Sequence, residues 1–301
     1  MSIVLYNTLA RKKEIVKPRE KVLKMFVCGP TTYNYIHAGN AKTYTQFDMA
    51  VKYFRHRKLE TIYVQNITDI DDKILNRAKE TGEEPLKLSE RFYQIYIEDM
   101  KAIGNDAVSK YVKATGRIKE IISQVERLMK KGYGYKTSDG IYFDLSKFPE
   151  YGKLSGRTAL QAEDATSRID QSEEKRNKGD FCVWKCAKEG EISWDAPFGS
   201  GRPGWHIEDT AITEKEFGPQ YDVHGGGVDL IFPHHEAEIA QMEAVSGKKP
   251  FVKYWMHTGL LDLKKEKMSK SKGNVVTLHD LLKEHDAKVV RFFFIASHYR
   301  S

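Results

Sequence analysis

The sequence predicts an α/β fold in which a Rossmann-like parallel sheet is split by an inserted α+β subdomain and followed by helices. Three observations lead to this prediction. A short buried strand, an amphipathic helix and a second strand follow one another early in the chain. A hairpin pattern replaces the helical period after residue 130, and strands alternate with helices again after residue 200. The first of these is a βαβ unit, which implies parallel strands joined by a right-handed crossover.

The βαβ unit is predicted from three neighbouring runs. The first strand is predicted in KMFVCGP, where Gly-Pro ends it. The second is TIYVQNITD, which is rich in β-branched and aromatic residues. Between them lies NAKTYTQFDMAVKYFRHR, where Phe47, Ala50, Val51 and Phe54 recur at helical spacing. Two longer helical patterns follow, over residues 88–96 and 118–128.

The inserted subdomain is predicted from a change of period. Asp139 and Gly140 stand between aromatic, β-rich flanks in YGYKTSDGIYFDL, which is a hairpin signal. The stretch from Ser155 to Asp180 is polar and has little periodicity, which indicates a loop. The predicted domains are residues 1–130 and 201–262 for the two halves of the Rossmann-like domain, 131–200 for the insertion, and 263–301 for a basic loop with closing helices.

The second half of the α/β domain is predicted from YDVHGGG, a strand that ends in a glycine turn, and from FVKYWMHTG, another strand. Between them, PHHEAEIAQMEAV has the pattern of a helix with Pro233 in its first turn. A basic loop, KKEKMSKSKGN, precedes helical patterns that end at RFFFIASHYRS.

The composition is that of an ordinary soluble chain of 301 residues, 40% hydrophobic and 30% charged. No apolar run is long enough to span a membrane, and the N-terminus carries charges too early for a signal peptide. Cys28, Cys182 and Cys186 do not form a disulfide framework, so a cytoplasmic protein is expected. The net charge of +7 is compatible with a polyanionic partner but does not indicate one by itself.

The HAGN run, His37 to Asn40, stands between the first strand and its helix. Ligands collect at the carboxyl ends of parallel strands, where a helix N-terminus offers free N–H groups to phosphate. Gly39 permits a close approach, and His37 and Asn40 can donate hydrogen bonds. A histidine at a helix start is usually a cap or a surface residue, so HAGN alone leaves both interpretations open.

The KMSKS run places Lys267, Lys270 and two serines in a glycine-flanked loop. Cations there can stabilise the charge that develops on a leaving pyrophosphate. Most lysine-rich loops are simply solvated. HAGN and KMSKS in this order, with an α/β pattern between them, are more specific than either run alone.

The run PHHEAEIAQ suggests a metal site. His234 and Glu238 are four residues apart, so on a helix they would point from one face and could hold one ion. The alternative is an ordinary surface pair, and two residues alone do not complete a ligand set.

Six runs resemble the cysteinyl-tRNA synthetase family of class I aminoacyl-tRNA synthetases, with HAGN and KMSKSKGN matching the two class signatures. They extend from about residue 20 to the C-terminus and are FVCGPTTYNYIHAGNAKTY, NITDIDDKI, YGKLSGR, GRPGWHIE, HGGGVDLIFPHHEAE and KMSKSKGN. The resemblance implies ATP-dependent activation of cysteine to cysteinyl-adenylate and transfer to tRNA(Cys). It also implies that the closing helices begin a stem-contact region.

The resemblance further implies a zinc ion, which the family holds with two cysteines, a histidine and a glutamate to bind the substrate thiolate. Cys28, His234 and Glu238 match three of these positions, but Asp209 stands where the family has its second cysteine. Zinc accepts carboxylate oxygen, so the four residues remain a complete ligand set. One thiolate fewer makes the site harder and less selective for thiols, so weaker zinc binding, another divalent ion or a site without metal are the alternatives.

The same motifs imply the remaining site residues. The substrate-pocket positions are Gly29, Thr31 and Thr68, while Trp205 is either a wall beside the amino acid or a core residue. His37, Asn40, Lys267 and Lys270 would hold the phosphates during catalysis, and Mg²⁺ would accompany ATP. The implied ATP-binding residues are His37, Gly39, Asn40, His224, Gly225, Gly226, Asp229, Lys267, Met268, Ser269, Lys270 and Ser271.

Cys182 and Cys186 suggest a second metal site, because two cysteines four residues apart would share a face if they lay on a helix. No partner pair lies nearby in the sequence. Structural cysteines in the inserted subdomain are therefore the preferred interpretation.

The family continues into a helical bundle and an anticodon-binding region that have no counterpart in this sequence. The chain could be a shortened form of a normal synthetase, or a naturally short synthetase that reads only the acceptor end. It could also be a paralogue that passes an activated amino acid to an acceptor other than tRNA, as related cysteine ligases of thiol-cofactor synthesis do. A non-catalytic module that binds nucleotide or RNA is a further hypothesis, against which the intact signatures argue. The expected partners are ATP, cysteine and the tRNA acceptor end, and a monomer is expected.

Overall fold

A computed structural model describes residues 2–157, 172–263, 266–267 and 275–301. The chain divides into two compact units. The first contains Met1–Lys113, Asp222–Asp229 and Tyr254–Ser301, and the second contains Ala114–Tyr221 and Leu230–Lys253.

The first unit is built on a five-stranded sheet with the strand order β11-β10-β3-β4-β5. Strands β10 and β3, β3 and β4, and β4 and β5 pair in parallel. A short antiparallel ribbon, β1 with β2, precedes this sheet. The strands are β1 Val4–Asn7, β2 Lys12–Ile15, β3 Leu23–Val27, β4 Thr61–Ile67, β5 Lys110–Lys113, β10 Tyr221–Gly227 and β11 Val252–Thr258.

Helix α1, Ala38–His56, connects β3 to β4 and confirms the predicted βαβ unit. It buries Phe47, Val51 and Phe54 because the apolar residues recur at helical spacing. The other helices of this unit are α2 Asp72–Thr81, α3 Pro85–Ala102, α7 Leu278–Glu284 and α8 Ala287–Ala296. Their N-caps are acidic or hydroxyl side chains that accept backbone N–H groups, namely Asp71, Glu84, Thr277 and Asp286.

The second unit combines helices with an antiparallel sheet of strand order β6-β7-β8-β9. The hairpin predicted at Asp139-Gly140 is confirmed, since β6 and β7 pair across it. The elements are α4 Ile118–Lys130, β6 Gly134–Lys136, β7 Gly140–Phe143, β8 Phe181–Cys186, β9 Gly201–Pro203, α5 Ile207–Phe217 and α6 Glu236–Ser246.

Polar contacts fix α5 against α4 in the second unit. Arg127 forms a forked ion pair with Glu214, and the hydroxyl of Thr210 donates to the side-chain oxygen of Gln124 at 2.6 Å. A forked Arg–carboxylate pair constrains geometry as well as adding energy. The first turn of α5 is thereby held in a defined position.

Two local predictions differ from the structure. The helix predicted from Pro233 begins only at Glu236, because Ile231–His235 forms a separate helical turn in which Phe232 has an extended backbone. Cys182 and Cys186 lie on strand β8 rather than on a helix. Four residues of strand separate two side chains by about 13 Å, so the shared helical face does not exist.

Strands β12 Asp262–Leu263 and β13 Glu266–Lys267 form a small antiparallel ribbon ahead of α7. Of the helices described in the structure, none is long and apolar enough to cross a membrane. The domain boundaries predicted at residues 130, 200 and 262 stay a prediction.

Candidate functional site

Two buried carboxylates converge on one imidazole nitrogen in the second unit. Nε2 of His234 lies 3.0 Å from Oδ2 of Asp209 and 3.1 Å from Oε1 of Glu238. The first turn of α5 supplies Asp209, the first turn of α6 supplies Glu238, and the preceding turn supplies His234. All three side chains are buried. His234 and Glu238 do face one another, although His234 lies in the turn before α6 and not on the same helix as predicted.

This arrangement has the chemistry of a cation site. A ring nitrogen carries at most one hydrogen, so it can serve only one of two carboxylates as a donor. Uncompensated negative charge in a buried place is costly, and a divalent ion offsets it. Tetrahedral zinc with N and O ligands has ligand edges of about 3.3 Å, close to the two distances at His234. Within the part of the chain that the structure describes, Oδ1 of Asp209 is buried without a hydrogen-bond partner. The three residues fit a divalent cation.

His206 fixes the ring of His234. The two Nδ1 atoms lie 2.8 Å apart. If Nε2 of His234 is to act as a ligand, its proton sits on Nδ1 and is donated to Nδ1 of His206. His206 then carries its own proton on Nε2. Burial above all, and then the neighbouring His234 and Lys185 side chains, hold the pKa of His206 well below its usual value, so its ring is neutral as this arrangement requires.

Trp205 forms one side of the same cluster. Its ring stacks on His234 with centroids 4.4 Å apart and an interplanar angle of 22°. It is only partly buried, whereas His206 and His234 are buried. The role of Trp205 as a wall beside the amino acid stays a prediction.

Cys28, in the first unit, follows directly after β3 and is buried. Its Sγ lies 3.2 Å from Nε2 of His224. His224 stacks on Trp255 with centroids 4.5 Å apart and meets Phe26 edge-on. The role of Cys28 as a metal ligand stays a prediction from the sequence.

The three predicted substrate-pocket residues of the first unit come together at the ends of β3 and β4. Thr31 and Thr68 form a parallel bridge, and the N–H of Thr68 donates to the carbonyl of Pro30 at 3.1 Å. Gly29 packs so closely on β4 that an added Cβ would lie 1.8 Å from the carbonyl oxygen of Asn66. Only glycine is compatible with this approach.

The HAGN run begins α1 as predicted. Nδ1 of His37 accepts the N–H of Asn40 at 3.2 Å, so His37 is the N-cap of this helix. The backbone N–H of Ala38 donates to the carbonyl of Val276, and His37 bridges Thr277. The capping interpretation of His37 is thus confirmed. The role of His37 in phosphate binding stays a prediction.

The glycine run forms the end of β10 rather than a turn after it, and its residues have two different environments. A Cβ on Gly225 would lie 2.4 Å from the ring of Phe47, so glycine there permits α1 to pack closely on the sheet. Asp229, beyond the run, is exposed and near Gly227. His224 is buried with its ring against Cys28 and Trp255, which explains its presence without a nucleotide. The ATP-binding roles of His224, Gly225, Gly226 and Asp229 stay predictions.

Of the KMSKS run, the structure describes only the first residue, Lys267. The backbone of Lys267 pairs with Asp262 in the ribbon of β12 and β13. Met268, Ser269, Lys270 and Ser271 lie outside the described residues. Gly39 and Asn40 are in the first turn of α1.

Sequence reasoning missed His206 and Asn66. His206 stands in GRPGWHIE and Asn66 in NITDIDDKI, two of the runs that carry the family resemblance. Their position within those runs was the signal that could have marked them as site residues. Their partners lie 28 and 37 residues away in the sequence, so no local pattern marks them.

The chain matches the family described as tRNA synthetases class I (C) catalytic domain over residues 14–301. It is 52% identical to the cysteine–tRNA ligase of Pyrococcus furiosus over 300 residues, which are 99% of this chain and 62% of that enzyme. It is 48% identical to the cysteine–tRNA ligase of Heliobacterium modesticaldum, with 100% of this chain and 63% of that enzyme covered. The chain therefore spans less than two thirds of the length of these relatives.

Two solved structures are similar in fold. Methionyl-tRNA synthetase of Mycobacterium tuberculosis, in complex with methionyl-adenylate, has a TM-score of 0.70 and 16% identity, covering 91% of this chain and 64% of that chain. A putative arginyl-tRNA synthetase of Campylobacter jejuni has a TM-score of 0.59 and 10% identity, covering 94% of this chain and 64% of that chain. These similarities confirm the predicted Rossmann-like α/β fold.

Proposed function

Because the chain belongs to the family of class I tRNA synthetase (C) catalytic domains, we propose that it activates cysteine with ATP and transfers it to tRNA(Cys). The observation that carries this proposal is the convergence of Asp209 and Glu238 on His234. It supports a metal-dependent selection of a thiol substrate. The identities of 48–52% to cysteine–tRNA ligases support cysteine as the substrate.

In the first step, a carboxylate oxygen of cysteine attacks the α-phosphorus of ATP. The new P–O bond forms in line with the bond that breaks, and pyrophosphate leaves with the electron pair of that bond. No protein nucleophile is required, so positioning and charge stabilisation supply the catalysis. The start of α1 at His37 and Asn40, with Lys267 and Lys270, would hold the phosphates, and Mg²⁺ would accompany ATP.

The proposed metal ligands are Cys28, Asp209, His234 and Glu238, with zinc as the expected ion. A bound divalent ion would supply a coordination position for the sulfur of cysteine. The surrounding residues orient that position, since His206 holds the His234 ring and Trp205 stacks on it. A hydrophobic pocket discriminates poorly between near-isosteres such as cysteine and serine, whereas a coordinate bond to sulfur separates them.

In the second step, a hydroxyl of the terminal ribose of tRNA attacks the carbonyl carbon of cysteinyl-adenylate. AMP leaves and an ester forms. The acceptor end of tRNA is the part that this reaction requires. The protein is proposed to act in the cytoplasm as a monomer.

Amino-acid-dependent exchange of pyrophosphate into ATP tests the proposal. Cysteine and serine are compared on protein of measured metal content, and cysteinylation of tRNA(Cys) is then assayed on the same preparation. Exchange with cysteine alone, followed by charging of tRNA, is the expected result. If cysteine supports exchange but tRNA(Cys) is not charged, the acceptor is a molecule other than tRNA. If neither cysteine nor serine supports exchange, the proposed function is overturned.

A further inference from the structure

The side chain of Asn66 holds the peptide that carries Cys28. Asn66 lies on β4 and is 2% exposed. Its Oδ1 accepts the backbone N–H of Gly29 at 2.5 Å. On the other side, the N–H of Cys28 donates to the carbonyl of Gly225 at 3.1 Å. The segment from Cys28 to Gly29 is thus held between β4 and β10.

This hydrogen bond takes over where the sheet ladder stops. The pairing of β3 with β4 ends at Val27 and Gln65. Beyond it the N–H of Gly29 is bound by the side chain of Asn66 rather than by a neighbouring strand. Because β4 no longer pairs with the backbone at Gly29, the direction of the Cys28–Gly29 peptide depends on this side-chain contact together with the bond from Cys28 to Gly225 of β10.

Asn66 has a second partner in the predicted substrate pocket. Its Nδ2 donates to Oγ1 of Thr68 at 3.4 Å. Thr68 in turn bridges Thr31 and donates its N–H to the carbonyl of Pro30. An amide can accept from Gly29 and donate to Thr68 at once, which neither an ionised carboxylate nor an alanine can do.

We propose that Asn66 is a positioning residue, which orients the thiol of Cys28 and the amino-acid pocket formed by Gly29, Thr31 and Thr68. The pocket part of this inference rests on the proposed function. The orientation of Cys28 does not, since it follows from contacts within the first unit. Asn66 would act without touching the reacting atoms.

The test compares N66A with N105A. Asn105 is a buried asparagine of the same unit, 7% exposed, that donates to Thr45 and accepts from Arg291. The rate at which iodoacetamide alkylates Cys28 is measured in metal-free protein by peptide mapping. The KM for cysteine and the KM for ATP are measured in pyrophosphate exchange, and thermal unfolding is recorded for each variant.

N66A is expected to alkylate Cys28 about tenfold faster and to raise the KM for cysteine about tenfold, in line with the loss of a buried hydrogen bond. The KM for ATP should stay within about twofold of the unsubstituted value. N105A is expected to lower the unfolding temperature comparably while changing neither the alkylation rate nor the ratio of the two KM values. A general loss of stability would move both variants together, so the difference between them reports positioning.

Unchanged alkylation and an unchanged KM for cysteine in N66A would overturn the inference. If N66A does not fold, N66D decides, because it keeps the size of the side chain but loses the Nδ2 donor. In N66D, the KM for cysteine is expected to rise while the KM for ATP does not. A KM for cysteine equal to that of the unsubstituted protein would overturn the inference. If the unsubstituted protein shows no exchange with cysteine, the proposed function fails, while the alkylation rates still decide the role of Asn66.

Discussion

The Nδ1 atoms of His206 and His234 lie 2.8 Å apart, so a hydrogen bond between them requires one nitrogen to donate and the other to accept. The carboxylates of Asp209 and Glu238 face the opposite nitrogen of His234. If that nitrogen binds a cation through its lone pair, the shared proton belongs to His234. His206 then acts as an acceptor that holds the ring in this tautomer. Partners of this kind orient a ligand and raise its basicity.

Replacing His206 by alanine should therefore weaken metal binding without removing a ligand. The expected loss is about 10- to 100-fold in affinity for Zn²⁺, as for other partners of metal-bound histidines. Competition with a chromophoric chelator measures it. H257Q, which replaces a buried histidine of the first unit, is the matched control and should bind Zn²⁺ as the unsubstituted protein does. Equal affinities in H206A and H257Q would contradict the assigned role.

The carboxylate of Asp209 should determine which metal is preferred. D209A is expected to lower the affinity for Zn²⁺ by at least about tenfold, because it removes one of the donors. D209C should raise the preference for Cd²⁺ over Mn²⁺, since a thiolate is a softer donor than a carboxylate. Chelator competition measures the dissociation constants for Cd²⁺ and Mn²⁺, and their ratio in D209C checks the predicted change of preference.

The control for these variants is D180N. Asp180 is a buried carboxylate of the same unit that accepts hydrogen bonds from Tyr135 and from the N–H of Leu145. Its substitution should alter stability and leave the metal preference unchanged. A D209C protein with the same Cd²⁺ to Mn²⁺ ratio as the unsubstituted chain would show that Asp209 is not a ligand.

Two phenylalanines on helix α8 differ in burial and can be compared for their contribution to stability. Phe294 is 0% exposed and Phe292 is 68% exposed, although both lie on the same helix. Replacing Phe294 by alanine should lower the free energy of unfolding by about 3–5 kcal/mol, because a cavity forms and apolar contacts are lost. Replacing Phe292 should change it by about 0.5 kcal/mol or less. Urea unfolding measures both, and the helix propensity change is the same in each variant. Equal losses would mean that α8 does not pack with Phe294 inward.

His257 should make the stability of the chain depend on pH. Burial lowers the pKa of His257 to about 3, whereas the pKa of a histidine in an unfolded chain is about 6.5. Between these values the unfolded state binds one more proton than the folded state. Stability is therefore complete above the unfolded pKa and falls as the pH decreases toward the folded pKa. The slope from this residue is about 1.4 kcal/mol per pH unit.

H257Q should flatten the pH dependence of the unfolding free energy by that slope between about pH 6 and pH 4. Denaturant titrations at several pH values measure it. H285Q, which replaces the exposed histidine that follows α7, is the control for the loss of a histidine. A slope in H257Q equal to that of the unsubstituted chain would refute the prediction.

Local patterns predicted some elements of the fold and missed others. The βαβ unit around α1 and the hairpin at Asp139-Gly140 were predicted because periodicity and turn chemistry act between near neighbours. The start of α6 was predicted three residues too early, since the proline signal at Pro233 belongs to a separate turn. The strand containing Cys182 and Cys186 was not recognised, because a short apolar run can be helix or strand.

The sequence by itself determined the family, the βαβ unit around α1 and the pairing of His234 with Glu238, because these depend on residue types and spacing. The full ligand set, Cys28, Asp209, His234 and Glu238, came from the resemblance to the family. Only the tertiary structure decided that Asp209 and Glu238 share one nitrogen of His234, that His206 lies against its other nitrogen, and that Asn66 holds the peptide before Gly29. These contacts join residues from different elements. Their geometry arises when helices and strands pack, and a distance of 3 Å between side chains has no counterpart in a linear pattern.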